Sequence, residues 1–123
     1  MVVDDDAETR LLLDSVLGRE EGHEVRYADD GDSAIARLDR MKPDVVITDI
    51  EMPRMNGVRL IQHLQSTQSG ARVIAISGKG ADRLERAVDA GAMIALSKPL
   101  ERQSLVDALE QALSASDPWR TGR

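Results

Sequence analysis

The feature that most narrows what this chain can fold into is a strict alternation of two periodicities. Short runs of β-branched and aliphatic residues, MVV (1–3), VRYA (25–28), VVIT (45–48), VIAIS (73–77) and MIALS (93–97), read as five strands. Between and after them, 7–17, 32–41, 57–66, 81–90 and 101–114 space their apolar residues at three and four. Leu12 with Val16, Ile35 with Leu38, Ile61 with Leu64, Leu84 with Val88, and Leu105 with Leu109 and Ala112 mark five helices. Gly22 and Gly91 stand where the first and fourth helices should stop, and Asp32 and Asn56 where the next two should be capped. A helix after every strand returns the chain to the same end of the sheet, so the strands must run parallel with right-handed crossovers. The result expected is an α/β fold: an open, doubly wound sheet covered by helices on both faces.

Position in that sheet is also legible. The runs at 45–48 and 73–76 carry no charged interruption and are expected to be central. HEVRYA alternates His23, Val25 and Tyr27 with Glu24 and Arg26, the pattern of an edge strand half open to water. Only three residues precede Asp4, and this short first strand reads as a chain that begins later than its natural start. The end, SASDPWRTGR, loses periodicity and carries Pro118 and Gly122. The expected division is therefore one domain over 1–115, then a tail or the start of a linker over 116–123. Trp119 is read as a loosely packed terminal residue and His23 and His63 as edge-strand and helix-surface residues, none with a site role.

Length and composition bound the function. A chain of 123 residues holds one core and one site. Phe is absent and aromatics are 2%, so that core must be aliphatic. The net charge of -6, without a basic patch interleaved with aromatics, argues against direct nucleic-acid binding. With no cysteine there is neither a disulfide framework nor a thiolate metal site, and no apolar run suggests a membrane span or a signal peptide. A cytoplasmic protein is expected.

In open α/β sheets ligands bind beyond the carboxyl ends of the strands. Strand one ends in Asp4, Asp5 and Asp6, strand three in Asp49, strand four in Ser77 followed by Gly78, and strand five gives Lys98 before Pro99. Each alone has a plain explanation: acids in a first helical turn cap N–H groups, a serine opens a loop, a rim lysine is solvated. Together they form one chemical object. Two like charges ~4 Å apart repel by roughly 4 kcal/mol at an effective dielectric of 20, so converging carboxylates need a cation between them. Magnesium takes such oxygen ligands and keeps water for an incoming phosphate. Asp5, with Asp4 beside it, would hold the ion, Asp49 would be both ligand and nucleophile, and the Glu51 carbonyl would be the third protein oxygen. Lys98 and the Ser77 hydroxyl would meet the equatorial oxygens during phosphoryl transfer.

Those residues resemble a family, the response regulator receiver domains of two-component phosphorelays. VVDDD matches its acidic pair, TDIEMPRMNG its phosphoacceptor loop, VIAIS its hydroxyl position and SKPL its lysine and cis-proline, in order and over 1 to about 115. The resemblance implies a flavodoxin-like five-stranded sheet of order 2-1-3-4-5 with five helices. It implies that Asp4 and Asp5 form the acidic pocket, Asp49 is phosphorylated, the Glu51 carbonyl binds Mg2+, Ser77 is the switch hydroxyl and Lys98 binds the phosphoryl group. Its donor would be a histidine kinase or a histidine phosphotransfer protein, and its target an output domain or protein that the sequence does not identify. The domain would be a signalling phosphoacceptor that assists its own phosphorylation and dephosphorylation, not an enzyme with a separate substrate.

Departures accompany the match. Ala95 stands where these domains usually carry Tyr or Phe three positions before the lysine, so an inward-turning ring cannot be the output here. Leu100 replaces a common Phe and Gly78 a common Ala, and helix four with its loop, around Lys79 to Arg83, is expected to move without an aromatic latch. Glu51 and Lys79 are expected to pair over the entrance and slow attacking water. The alternative reading is a receiver-like protein-binding module that docks its partner without phosphorylation. An aspartyl phosphatase fits less well, since DDDAE lacks the Asp-x-Asp-x-Thr threonine, and no Gly-x-Gly-x-x-Gly supports a dinucleotide fold.

Overall fold

The computed structural model describes residues 2–3, 7–17, 27–28, 34–38, 44–51, 57–66, 71–78 and 81–114. In chain order the elements are β1 (Val2–Val3), α1 (Ala7–Leu17), β2 (Tyr27–Ala28), α2 (34–38), β3 (Val45–Asp49), α3 (Gly57–Ser66), β4 (Arg72–Ser77), α4 (Ala81–Ala90), β5 (Ile94–Ser97) and α5 (Arg102–Ser114). All the strand pairs are parallel, and the sheet runs β2-β1-β3-β4-β5. An α/β parallel sheet with helices is what the alternation of periodicities predicts.

The period of two along each strand divides the core into two layers. Val46, Val73 and Ala75 pack with Ala34 and Leu38 of α2, Leu60, Ile61 and Leu64 of α3, and Ala87 of α4. Their strand neighbours Ile47, Ile74 and Ile76 lie on the other face, with Leu13 and Val16 of α1 and Leu105, Ala108, Leu109 and Ala112 of α5. Residues one apart on β3 and β4 therefore bury into opposite layers, which explains why these runs carry no charge between their apolar residues. The expected central strands are the buried ones, β3 and β4. A fully buried Leu or Ile contributes about 1.5–3 kcal/mol, and these two layers supply nearly all the large buried side chains.

Helix ends follow the punctuation where it is described. At the end of α4 Ala92 N donates to Ala87 O at 2.9 Å and Gly91 N to Val88 O at 3.0 Å. This is the two-bond Schellman closure, and it holds Gly91 at φ 126°, a left-handed conformation that a side chain disfavours. Gly22, Asp32 and Asn56, expected to stop or cap other helices, lie outside the described residues, as do His23 and Trp119. His63 departs from its expected place on a helix surface: it is half-buried in α3 and its Nε2 is enclosed without a hydrogen-bond partner.

At the edge of the sheet, Tyr27 of β2 ties three elements together. Its hydroxyl donates to Asp14 Oδ1 of α1 at 2.8 Å, its carbonyl accepts from Arg37 Nη1 of α2 at 2.6 Å, and the Arg10 guanidinium lies 5.7 Å from its ring centre. Partial burial, then the bond to Asp14 and the charge of that carboxylate, push the phenol up to about 12.

Candidate functional site

Three adjacent parallel strands end together, and their last residues carry the polar groups. Asp49 closes β3 and Ser77 closes β4, while Lys98 follows the last residue of β5. The register aligns Asp49 with Ile76 and Ser77 with Ser97, so a short step past each strand end reaches the same rim. Backbone bonds extend the ladder there: Ile50 N donates to Ile76 O and Lys98 N to Ser77 O, both at 2.9 Å. The Lys98–Pro99 bond is cis, as the resemblance implies.

Asp49 is 3% exposed, an unusual situation for a carboxylate unless it is paired. Lys98 Nζ lies 2.8 Å from its Oδ2. The main-chain N–H of Glu51 donates to its Oδ1 at 3.0 Å, the turn that an Asp makes with the residue two positions on. Both carboxylate oxygens are thus held by donors, one a cation and one a backbone dipole, and Thr48 Oγ1 donates to the Asp49 carbonyl at 2.9 Å.

Ser77 is fully buried, and its hydroxyl donates to the side-chain carboxylate of Glu51, at 2.8 Å to Oε2 and 3.0 Å to Oε1. Gly78 N donates to Oε1 of the same carboxylate at 2.9 Å. The Glu51 carboxylate, expected to pair with Lys79 over the entrance, turns inward onto Ser77 and Gly78, a hydroxyl and an adjacent amide that together make an anion cradle. Lys79 itself lies outside the described residues. The sequence reading missed the Gly78 amide as a donor, since a backbone N–H leaves no mark on residue type.

Of the expected metal ligands, Asp49 and Glu51 are described and Asp4 and Asp5 are not. Among the described residues no group of three or more His, Cys, Asp or Glu side chains is placed to hold an ion. The described donors of the expected set, the Asp49 carboxylate and the Glu51 carbonyl, are hard oxygens of the kind magnesium takes, so the residues present fit that ion.

Ala95 lies beside α4. Leu84, Glu85, Val88 and Asp89 of that helix and Ala95 of β5 line an open cavity of about 290 Å³ at the position where an aromatic side chain is usual. Among the described residues no helix is long and apolar enough to cross a membrane.

Comparison with known proteins bears on this arrangement. The family model for the response regulator receiver domain matches residues 1–110. The transcriptional regulatory protein PdtaR of Mycobacterium tuberculosis H37Rv is 38% identical over 115 residues, covering 93% of this chain and 56% of PdtaR. The chemotaxis protein CheY of Thermotoga maritima is 33% identical over 113 residues, covering 90% of this chain and 93% of CheY. Among solved structures, the receiver domain of NtrX from Brucella abortus superposes with a TM-score of 0.85 at 34% identity, covering 94% of this chain and 98% of that one. The chain spans little more than half the length of PdtaR.

Proposed function

The chain belongs to the response regulator receiver domain family, a family of signalling domains, and from that premise we propose that Asp49 accepts a phosphoryl group and that its capture switches partner binding. The observation that carries the proposal is the buried Asp49 carboxylate, 2.8 Å from the Lys98 amine at the rim where β3, β4 and β5 end. An oxygen of Asp49 forms a bond to phosphorus as the bond from phosphorus to the donor breaks. The donor, a phosphohistidine nitrogen of a kinase or phosphotransfer protein, or the acetate oxygen of acetyl phosphate, leaves with that bond's electron pair.

Lys98 lies where its charge would meet a phosphoryl oxygen, and the Ser77 hydroxyl with the Gly78 amide would meet another. Asp4, Asp5, Asp49 and the Glu51 carbonyl are the groups proposed to hold Mg2+, which when bound supplies positive charge to the phosphoryl oxygens and relieves the repulsion among the acids. On this reading the strand order is the flavodoxin-like one, the receiver domain occupies 1–115, and 116–123 are a C-terminal tail or the start of a linker. A cytoplasmic location accompanies it.

Incubation with acetyl phosphate and magnesium, followed by intact-mass measurement, tests the proposal. Wild type should gain one phosphoryl mass, Asp49→Asn should gain none, and a chelator should abolish the gain. Partner binding that persists in Asp49→Asn would instead favour the phosphorylation-independent module.

A further inference from the structure

The Glu51 carboxylate takes up donors that the proposed phosphoryl group would need. It accepts two contacts from the Ser77 hydroxyl, at 2.8 and 3.0 Å, and one from the Gly78 amide at 2.9 Å. These are charge-assisted bonds, with the hydroxyl itself fully buried, so the carboxylate is held firmly. Its own backbone is anchored on the other side, where Glu51 N donates to Asp49 Oδ1 at 3.0 Å. One residue therefore touches both the proposed acceptor and the proposed switch hydroxyl. Asp49, at the centre, is left to Lys98 alone among the side-chain cations described against it.

We propose that Glu51 is an internal anion that occupies the Ser77 and Gly78 donors until a phosphoryl group on Asp49 displaces it. The inference rests on the phosphoacceptor reading. An anion already bound at the same donors is a competitor, and the free energy of its contacts is subtracted from what an incoming phosphoryl group gains there. The geometry provides for release as well as occupancy. The side chain reaches Ser77 from the chain segment just after β3, so rotation about its own bonds withdraws it while Asp49 keeps its place in the strand. Displacement would then couple capture at Asp49 to a movement of the Glu51 side chain, and not of an aromatic ring, in a chain that has Ala95 on β5.

Beryllium fluoride with magnesium, an unreactive mimic of a phosphoryl group on a carboxylate, serves as the probe, its half-saturation read from amide resonances between 71 and 78. Glu51→Ala should saturate at a concentration about tenfold lower than wild type, the factor that one charge-assisted hydrogen bond supplies. The Gly78 amide should also exchange faster with solvent in donor-free Glu51→Ala than in donor-free wild type. In a Ser77→Ala background the gain from Glu51→Ala should shrink, which separates competition at the hydroxyl from general repulsion by the Glu51 charge. Equal or weaker probe binding by Glu51→Ala, or an undiminished gain in the Ser77→Ala background, overturns the competitor while Asp49 still takes label from acetyl phosphate. Absence of that label from wild type and Glu51→Ala alike overturns the phosphoacceptor reading and the competitor with it.

Discussion

Lys98 Nζ and Asp49 Oδ2 meet at 2.8 Å although 49 positions separate them in the chain. The contact joins the segment after β5 to the end of β3 across the intervening strand β4, so it reports that the sheet has been assembled correctly. It also leaves a 3% exposed carboxylate dependent on an amine that is itself partly open to water.

Removing the amine should therefore affect chemistry more than stability. Lys98→Ala should slow labelling of Asp49 by acetyl phosphate roughly a hundredfold, the scale expected when one preorganised donor to a developing charge is lost. The cost in unfolding free energy should be about 1–2 kcal/mol, less than for a fully buried pair because water reaches the lysine side. Intact-mass time courses and urea unfolding measure the two effects.

Gly78 departs from the family's usual Ala, but the structure has room for one. A Cβ there would lie 3.7 Å from Lys98 Cβ and Cδ, an ordinary contact. Gly78→Ala should fold normally, with stability equal to or up to about 1 kcal/mol above wild type because the unfolded chain loses freedom. Its N–H is unchanged by the substitution, so labelling should persist.

Gly91 should behave in the opposite way. At φ 126° a side chain is strained, and a Cβ would come within 2.7 Å of three atoms of the Gln65 side chain. Gly91→Ala should cost about 1–2 kcal/mol in urea unfolding. Gln65→Ala added to it should recover only a minor part, since Gln65 can swing aside whereas the backbone conformation cannot change.

The Tyr27 phenol gives stability a dependence on alkaline pH. Its value is raised from 10.0 to about 12 in the folded chain, first by desolvation and then by Asp14. The folded state thus keeps a proton that the unfolded state loses. Its contribution is complete below pH 10 and should fall away as the pH rises toward 12. Tyr27 is the one tyrosine in the chain, so ultraviolet titration reads it directly, and Asp14→Asn should lower the midpoint.

The layered α/β fold was legible because periodicity records burial. The runs at 45–48 and 73–76 are continuous because both faces of β3 and β4 meet helices, and Gly91 marked its helix end because only glycine tolerates that closure cheaply. Asp49, Ser77 and Lys98 could be selected because each stands at a strand end, and parallel strands bring such ends to one rim. The direction of the Glu51 side chain was not legible. The sequence suggested Lys79 as its partner, and residue types alone do not rank a cation against a hydroxyl and an amide whose approach depends on backbone geometry. His63 was misplaced for a related reason: its ring is amphipathic, so helical spacing does not say how deeply it tucks in.

The main-chain bond from Lys98 N to Ser77 O has a consequence for how this molecule can be altered. It acts as a ruler between the amine and the alcohol, graduated in peptide geometry and indifferent to side chains. Mutational drift or laboratory engineering can exchange either functional group, yet it cannot retune the span between their backbones without unzipping the neighbouring strands. On the phosphoacceptor reading, the lifetime of a phosphoryl group on Asp49 can then be adjusted through side-chain identity, while the span between the two backbones stays fixed.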